Sequence, residues 1–258
     1  MKKTVLLAIA GLFATTSALR AQEYRTKLSG KDNKVVIEMQ SGDVTIEGVD
    51  GNEVVIRGDG YEEPSKRAEG LRPLYNSAVD NTKLGLSVTS ADNTLRIVKA
   101  SRKDANYTIR VPRRANVVFT QNSWSGGNNL LLQNMEGSLE VALKNSSAKL
   151  LNVTGPVVAN TVSGDITVRF ATLRPEPSSI SVVSGNVDVT LPGSSKTTIN
   201  MRSVSGELYT DLDLSMGKGN NENMRQVGGQ TVSGALNGGG TSITLKTVSG
   251  DVFVRKAK

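Results

Sequence analysis

Asp211 and Asp213, two residues apart and with Glu207 just upstream, are the carboxylates best spaced for general acid–base work in this sequence. Alternate residues of an extended strand share a face, so the two acids would stand together on the outward side. A carboxylate pair so placed is what a β-helical hydrolase uses against a glycosidic bond. The rest of the chemical inventory is sparse. The chain has no histidine and no cysteine, which removes the Ser-His-Asp triad, a thiol nucleophile and the usual zinc-ligand spacings. No phosphate-binding loop occurs either. Arginine and lysine could serve a lyase, yet no single face gathers them. Acids on an outward strand face are more commonly just solvated. The chain is therefore read as non-catalytic, with no catalytic residue, no metal site and no cofactor.

The elements that would carry these residues come from a repeat. Val-Ser-Gly recurs at 162–164, 183–185, 204–206, 232–234 and 248–250, so the glycines lie 21, 21, 28 and 16 residues apart. A period near twenty implies a supersecondary unit stacked on copies of itself. Two residues after each glycine, and after Gly42 and Gly137, stand Val44, Leu139, Ile166, Val187, Leu208, Leu236 and Val252. Four residues after it stand Ile46, Val141, Val168, Val189, Thr210, Gly238 and Val254. The intervening column is mostly polar, so the period is two and one face is buried. Each unit reads as strand, Ser-Gly corner, strand. The expected fold is all-β, a parallel β-helix or β-solenoid, right-handed by the crossover rule, with irregular N-terminal coils and loops.

Glycine suits the corner because it enters the left-handed backbone region freely. The residue after it is often a short acceptor (Asp43, Asp165, Asn186, Asp251) or Glu207, able to bond backbone N–H groups that the bend leaves unpaired. A calcium ladder would need the Gly-Gly-x-Gly-x-Asp nonapeptide, which is absent.

Binding chemistry is equally thin. Only Tyr209 and Phe253 bring rings to the outward column, and both are read as covering a neighbouring strand or loop. Trp124 replaces the corner valine in residues 124–126 and is read as a core or cap residue. From Arg96 to Arg114 seven cations (Arg96, Lys99, Arg102, Lys103, Arg110, Arg113 and Arg114) face Asp104 alone. Such a patch could meet anionic glycans or membrane phosphates. Its alternation with Leu95, Ile97, Tyr107, Ile109 and Val111 reads instead as the solvated side of half-buried strands.

Residues 1–21 carry Lys2 and Lys3, an apolar run over 5–14 and small residues after it, the order of a secretory signal peptide. Removing them takes three cations from a formal charge of +7, leaving 28 basic against 24 acidic side chains. No other stretch is long and apolar enough to span a membrane. Without cysteine, disulfides and a lipobox anchor are excluded. The expected organisation is a signal peptide over 1–21, a strand region over 22–115 with a long polar loop from 58 to 82, and solenoid repeats over 116–258 continuous with it. A helical turn is expected near Lys66, a strand end at Pro112, and a flexible loop over 217–229.

The strand over 107–112 (Tyr-Thr-Ile-Arg-Val-Pro), the segment Asp80-Asn81-Thr82 followed by Gly85-Leu86-Ser87-Val88, and units such as residues 162–168 resemble the bacterial putative-adhesin family of exported β-strand-repeat proteins. The resemblance covers roughly residues 30–258. It implies a β-solenoid at the envelope of a Gram-negative bacterium (periplasm, outer membrane or cell surface) and brings no catalytic residue. The expected role is adhesion or surface interaction, with an envelope protein or an anionic glycan as partner and no nucleic acid. The alternatives are a periplasmic sensor or scaffold binding another envelope protein, and a polysaccharide-active enzyme. The final strand, residues 252–254, is expected to be the open edge, guarded by Arg255, Lys256 and Lys258.

Overall fold

The period-two alternation is carried by twenty strands in a computed structural model that describes residues 22–30, 32–71, 74, 76–124, 128–216 and 230–258. The expected signal peptide, the loop expected over 217–229 and Ser125-Gly126 of the variant corner lie outside the described residues. The chain begins with β1 (Glu23–Lys27), β2 (Lys34–Met39), β3 (Val44–Val49) and β4 (Glu53–Asp59). A long interval follows with one 3-10 turn at Lys66–Ala68, where a helical turn is expected. Next come β5 (Leu86–Ala91), β6 (Thr94–Lys99), β7 (Asn106–Pro112), β8 (Asn116–Gln121) and β9 (Asn128–Gln133). Pro112 ends its strand as expected. β10 (Leu139–Val153) runs unbroken through a whole coil. It is followed by β11 (Val157–Ser163), β12 (Ile166–Phe170), β13 (Ser178–Ser184), β14 (Val187–Leu191), β15 (Thr197–Ser205) and β16 (Leu208–Thr210). The remaining strands are β17 (Ser215–Met216), β18 (Gln230–Leu236), β19 (Thr241–Ser249) and β20 (Val252–Lys256).

Each coil contributes one strand to either of two sheets. The first sheet runs β5, β6, β2, β8, β10, β11, β13, β19, β15, β18, β17. The second runs β1, β4, β7, β3, β9, β10, β12, β14, β20, β16. Pairing is parallel through the stack and antiparallel only at β1–β4, β4–β7, β5–β6, β15–β18 and β17–β18. Inward residues of both sheets, such as Ile37, Ile46, Val141, Val168, Val189 and Leu245, join one apolar core. The fold is the all-β solenoid that the repeat implied.

Spatial order departs from chain order at both ends. The coil β2–β3 sits between β6–β7 and β8–β9, and β19–β20 sits between β13–β14 and β15–β16. Ile166 and Val187 stack as expected, but Val252 comes between Val187 and Leu208. The last repeat is therefore interior. The open-edge reading of residues 252–254 is wrong, because β20 is paired on both sides and, among the described residues, β16 is the edge strand at this end.

Two alignments of the repeat are also corrected. Gly137 begins the strand of the first sheet, since Leu139 and Val141 pair with Val157 and Ala159 there. It occupies the return bend, where a Cβ would strike the carbonyl oxygen of Ala115. Residues 232–234 form no corner at all; they lie inside β18, with Gly234 opposite Ile199 in an antiparallel pair. Any bend entering a half-buried strand gives apolar residues two and four positions later, so the pattern cannot tell one bend from another.

At the Ser-Gly corner, Gly164, Gly185, Gly250 and Gly206 have φ of 130°, 137°, 141° and 147°, where a side chain is strained. They are also crowded: a Cβ on each would meet the carbonyl oxygen of Ser146, Gly164, Gly185 and Gly250 respectively. The acceptors beside them form a ladder. Backbone N–H groups of Asp165, Asn186, Asp251 and Glu207 donate to Ser147 Oγ (3.1 Å), Asp165 Oδ1 (2.7 Å), Asn186 Oδ1 (2.9 Å) and Asp251 Oδ1 (2.8 Å). The corner acids thus pair backbone from coil to coil, satisfying donors that the bend exposes.

Candidate functional site

The outward face of the second sheet brings together residues that the sequence keeps far apart. Tyr209 on the edge strand is in register with Phe253 on β20, and the two rings stack with centroids 5.2 Å apart and planes 9° from parallel. Phe253 is in turn in register with Asp188. The Arg255 guanidinium lies 5.1 Å from the centre of the Phe253 ring and donates Nε to both Asp188 carboxylate oxygens at 3.1 Å. Asp188, by hydrogen bond and charge, raises the Arg255 pKa further. Each ring does cover a neighbouring strand, as the sequence suggested, and Tyr209 remains 48% exposed at the end of the stack. The result is a short platform of ring, ring and ion pair, suited to a flat polar partner.

The carboxylate pair does not form on a strand. β16 ends at Thr210, so Asp211 and Asp213 fall beyond it, with Leu212 buried between them. Asp211 Oδ1 accepts the backbone N–H of Lys256 at 2.7 Å, which ties the segment after β16 to β20. Glu207 Oε2 accepts from Gln230 Nε2 at 3.0 Å. Among the described residues no group of three or more His, Cys, Asp or Glu could hold a metal ion.

The basic run is split among several surfaces. Arg96 pairs with Glu38 (2.6 Å) on the first sheet, and Arg110 with Glu47 (3.0 Å) on the second. Arg113 meets Asp50 (2.9 Å), and Arg114 meets Glu136 (3.4 Å). Exposed pairs of this kind contribute little to stability. At the start of the second sheet Arg57 and then Arg25 hold the Glu23 carboxyl below its ordinary pKa.

Lys99 corrects the solvated-face reading. Its side chain points inward and is only 1% exposed. Nζ donates to Tyr107 Oη at 3.0 Å and lies 4.7 Å from the centre of that ring, while Tyr107 Oη donates to the Leu84 carbonyl at 2.8 Å. Burial lowers the lysine pKa to about 8, against the attraction of Asp104. Burial likewise raises Tyr107 well above the usual tyrosine range, and Tyr61 to about 12 with help from Asp80. Strand parity held the signal, since Leu95 and Ile97 are inward and Lys99 is next in that series.

Asp80 explains the Asp-Asn-Thr motif. Its carboxylate accepts from Tyr61 Oη and from the backbone N–H groups of Thr82, Lys83 and Gly85. Asn81 pairs both ways with Val88, standing in for a strand neighbour. The loop is less polar than its sequence suggests. Leu71, Leu74 and Val79 are exposed and line a groove of about 520 Å³ with Tyr61, Pro64 and Asp80. Trp124 is neither core nor cap: it is 61% exposed, with Lys144 Nζ 5.7 Å above its ring. A lone corner substitution gives no signal of which side the ring will take.

Comparison with known proteins adds a family. The family described as Toastrack DUF4097 matches residues 19–255. No curated protein matches the chain. Among solved structures, a putative cell adhesion protein from Clostridium sporogenes is 11% identical, covers 92% of this chain and 100% of its own, and has a TM-score of 0.46. A putative adhesin from Bacteroides fragilis is 12% identical over 91% and 96%, with a TM-score of 0.39. A putative lipid binding protein from Parabacteroides distasonis is 12% identical over 93% and 98%, with a TM-score of 0.27. Likenesses at this level transfer no residue and no activity.

Proposed function

The chain belongs to the Toastrack DUF4097 family, and from that premise we propose that it is an exported cell-envelope module of the adhesin type, acting by surface contact and without catalysis. The observation that carries the reading is the division of labour along each strand. Inward residues make one continuous core; outward residues make two long regular faces of hydroxyls, ion pairs and the Tyr209–Phe253 platform. Such faces suit an extended partner, an envelope protein or an anionic glycan, better than a small substrate needing enclosure. Export rests on the leader pattern of residues 1–21.

Protease shaving of intact cells tests the reading. Digestion of the protein is expected. Protection in intact cells with digestion after outer-membrane permeabilisation would replace adhesion with a periplasmic sensor or scaffold. For the chemistry, purified protein should depolymerise no envelope or plant polysaccharide. Turnover that is lost in the Asp211→Asn, Asp213→Asn double variant would establish the enzyme instead.

A further inference from the structure

The valine of the repeated Val-Ser-Gly is the one member of the motif that the fold leaves unused. Serine and glycine make the corner, but Val162, Val183, Val248 and Val204 are 38%, 47%, 47% and 44% exposed. Their strands are neighbours in the first sheet. The registers Thr161↔Val182↔Thr247↔Ser203 and Ser163↔Ser184↔Ser249↔Ser205 bracket the four valines on either side and place them in one row. On the next coil, Lys144 occupies the same row, bracketed by Leu143↔Thr161 and Asn145↔Ser163. Beyond it lies Trp124, under the Lys144 ammonium and with its carbonyl bonded by Asn145 Nδ2. Five successive coils thus present Lys, Val, Val, Val, Val in a line along the stack, spanning roughly 19 Å at the usual strand spacing, and the Trp124 ring lies beside its Lys144 end.

The parallel row two residues upstream reads Ala142, Asn160, Ser181, Lys246 and Arg202. It contains two exposed cations and no acid. On the other side stand the corner residues, whose acids are occupied: Asp165 and Asp251 accept backbone N–H groups, and Glu207 accepts from Gln230. The stripe is therefore apolar, flat, one side chain wide, and bordered by Lys144, Lys246 and Arg202. Its exposed apolar area is roughly half of the ~800 Å² that each partner of a stable protein pair contributes, which argues against a second copy as occupant. An apolar row with a lysine-covered tryptophan and flanking cations fits the boundary between headgroups and acyl chains.

We propose that this face docks the protein on an anionic lipid surface. The valines and Trp124 reach the acyl boundary, and Lys144, Lys246 and Arg202 meet headgroup phosphates. The inference goes beyond the adhesion reading, since it concerns what the protein rests on and not what it grips.

Trp124 is the only tryptophan in the chain, so intrinsic fluorescence reports the stripe directly. Purified protein is mixed with vesicles of phosphatidylglycerol and phosphatidylcholine, or of phosphatidylcholine alone. The expected result is a blue shift of emission and co-sedimentation with the anionic vesicles, at least about tenfold weaker on the neutral ones. Val183→Ser with Val248→Ser should lower partitioning by about tenfold. The triple variant Lys144→Gln, Lys246→Gln, Arg202→Gln should erase the preference for anionic lipid. All five positions are solvent-facing, and unchanged melting curves confirm that the fold survives. Absence of shift and sedimentation on both vesicles, or valine variants that bind as wild type does, overturns the proposal. Lipid-free oligomers that disappear in the valine variant overturn it too, marking the stripe as an interface between copies.

Discussion

The backbone N–H of Glu207 donates to Oδ1 of Asp251 at 2.8 Å, although the corner preceding Glu207 in the chain is that of Asn186. The last repeat has been inserted between two earlier ones, so Asp251 links Asn186 to Glu207 in the corner ladder. This one relationship changes which coil ends the solenoid beyond β20.

Deleting residues 241–258 should therefore not trim an end. β15 and β16 both lose their parallel partner, and β13 and β14 are uncovered on one side. Hydrogen exchange should show loss of protection in β13–β16 together. If only the deleted residues' immediate contacts are affected and β15–β16 stay protected, the interior placement is wrong.

Gly250→Ala should destabilise the fold as strongly as Gly185→Ala, by about 2 kcal/mol or more. Each has a left-handed φ and a Cβ that would meet a carbonyl oxygen of the adjacent coil. Chemical denaturation of the two variants checks this. A mild effect at Gly250 alone would place it at a free end.

Val187 is fully buried, and Asp188 faces outward with Arg255. Val187→Asp should cost about 3 kcal/mol or more by leaving a carboxylate unpaired in the core. Asp188→Val removes one exposed ion pair and should change stability by only about half a kcal/mol. Equal effects in urea melts would mean the faces are misassigned.

Stability should rise between pH 8 and 10 and fall above it. Lys99 has a folded pKa of about 8, below its unfolded value near 10.5. Under pH 8 both states carry the proton and the cost of burying the charge is present in full. As pH rises past 8 the folded state sheds the proton first, and the cost is relieved. Tyr61 and Tyr107 act oppositely, because the unfolded phenols ionise near 10 while the folded ones, at about 12 and higher, do not. Lys99→Met should remove the rise between pH 8 and 10 in thermal melts and keep the fall. A rise that persists in the variant has another source.

Among the described residues one edge of the second sheet is β16, only three residues long, flanked by Glu207, Asp211 and Asp213. Shortness and charge are ordinary protections of an edge. Replacing Glu207 with Gln and both aspartates with Asn should promote concentration-dependent association in light scattering, while keeping the oxygen that accepts from Lys256. Replacing Arg255, Lys256 and Lys258 with serine should leave the protein monodisperse. The reverse outcome would restore β20 as the exposed edge.

The strand–corner–strand unit was legible in the sequence because its causes are local. Parity decides which side chains are buried, a tight bend demands glycine, and a short acceptor after it satisfies the backbone. Even Lys99 could have been placed inward by parity with Leu95 and Ile97. Which coil lies against which was not legible. Every repeat offers its neighbours the same stacked aliphatics and the same corner acceptors, so Val252 would fit beside Leu208 on either side. Identical local units make the stacking order degenerate in sequence; only the long-range pairing of β19 and β20 between β13–β14 and β15–β16 resolves it. That same order aligned the four exposed valines in one row with Lys144, and brought Tyr209 against Phe253. The candidate surfaces belong to the tertiary structure, because they are made of residues that share no segment of chain.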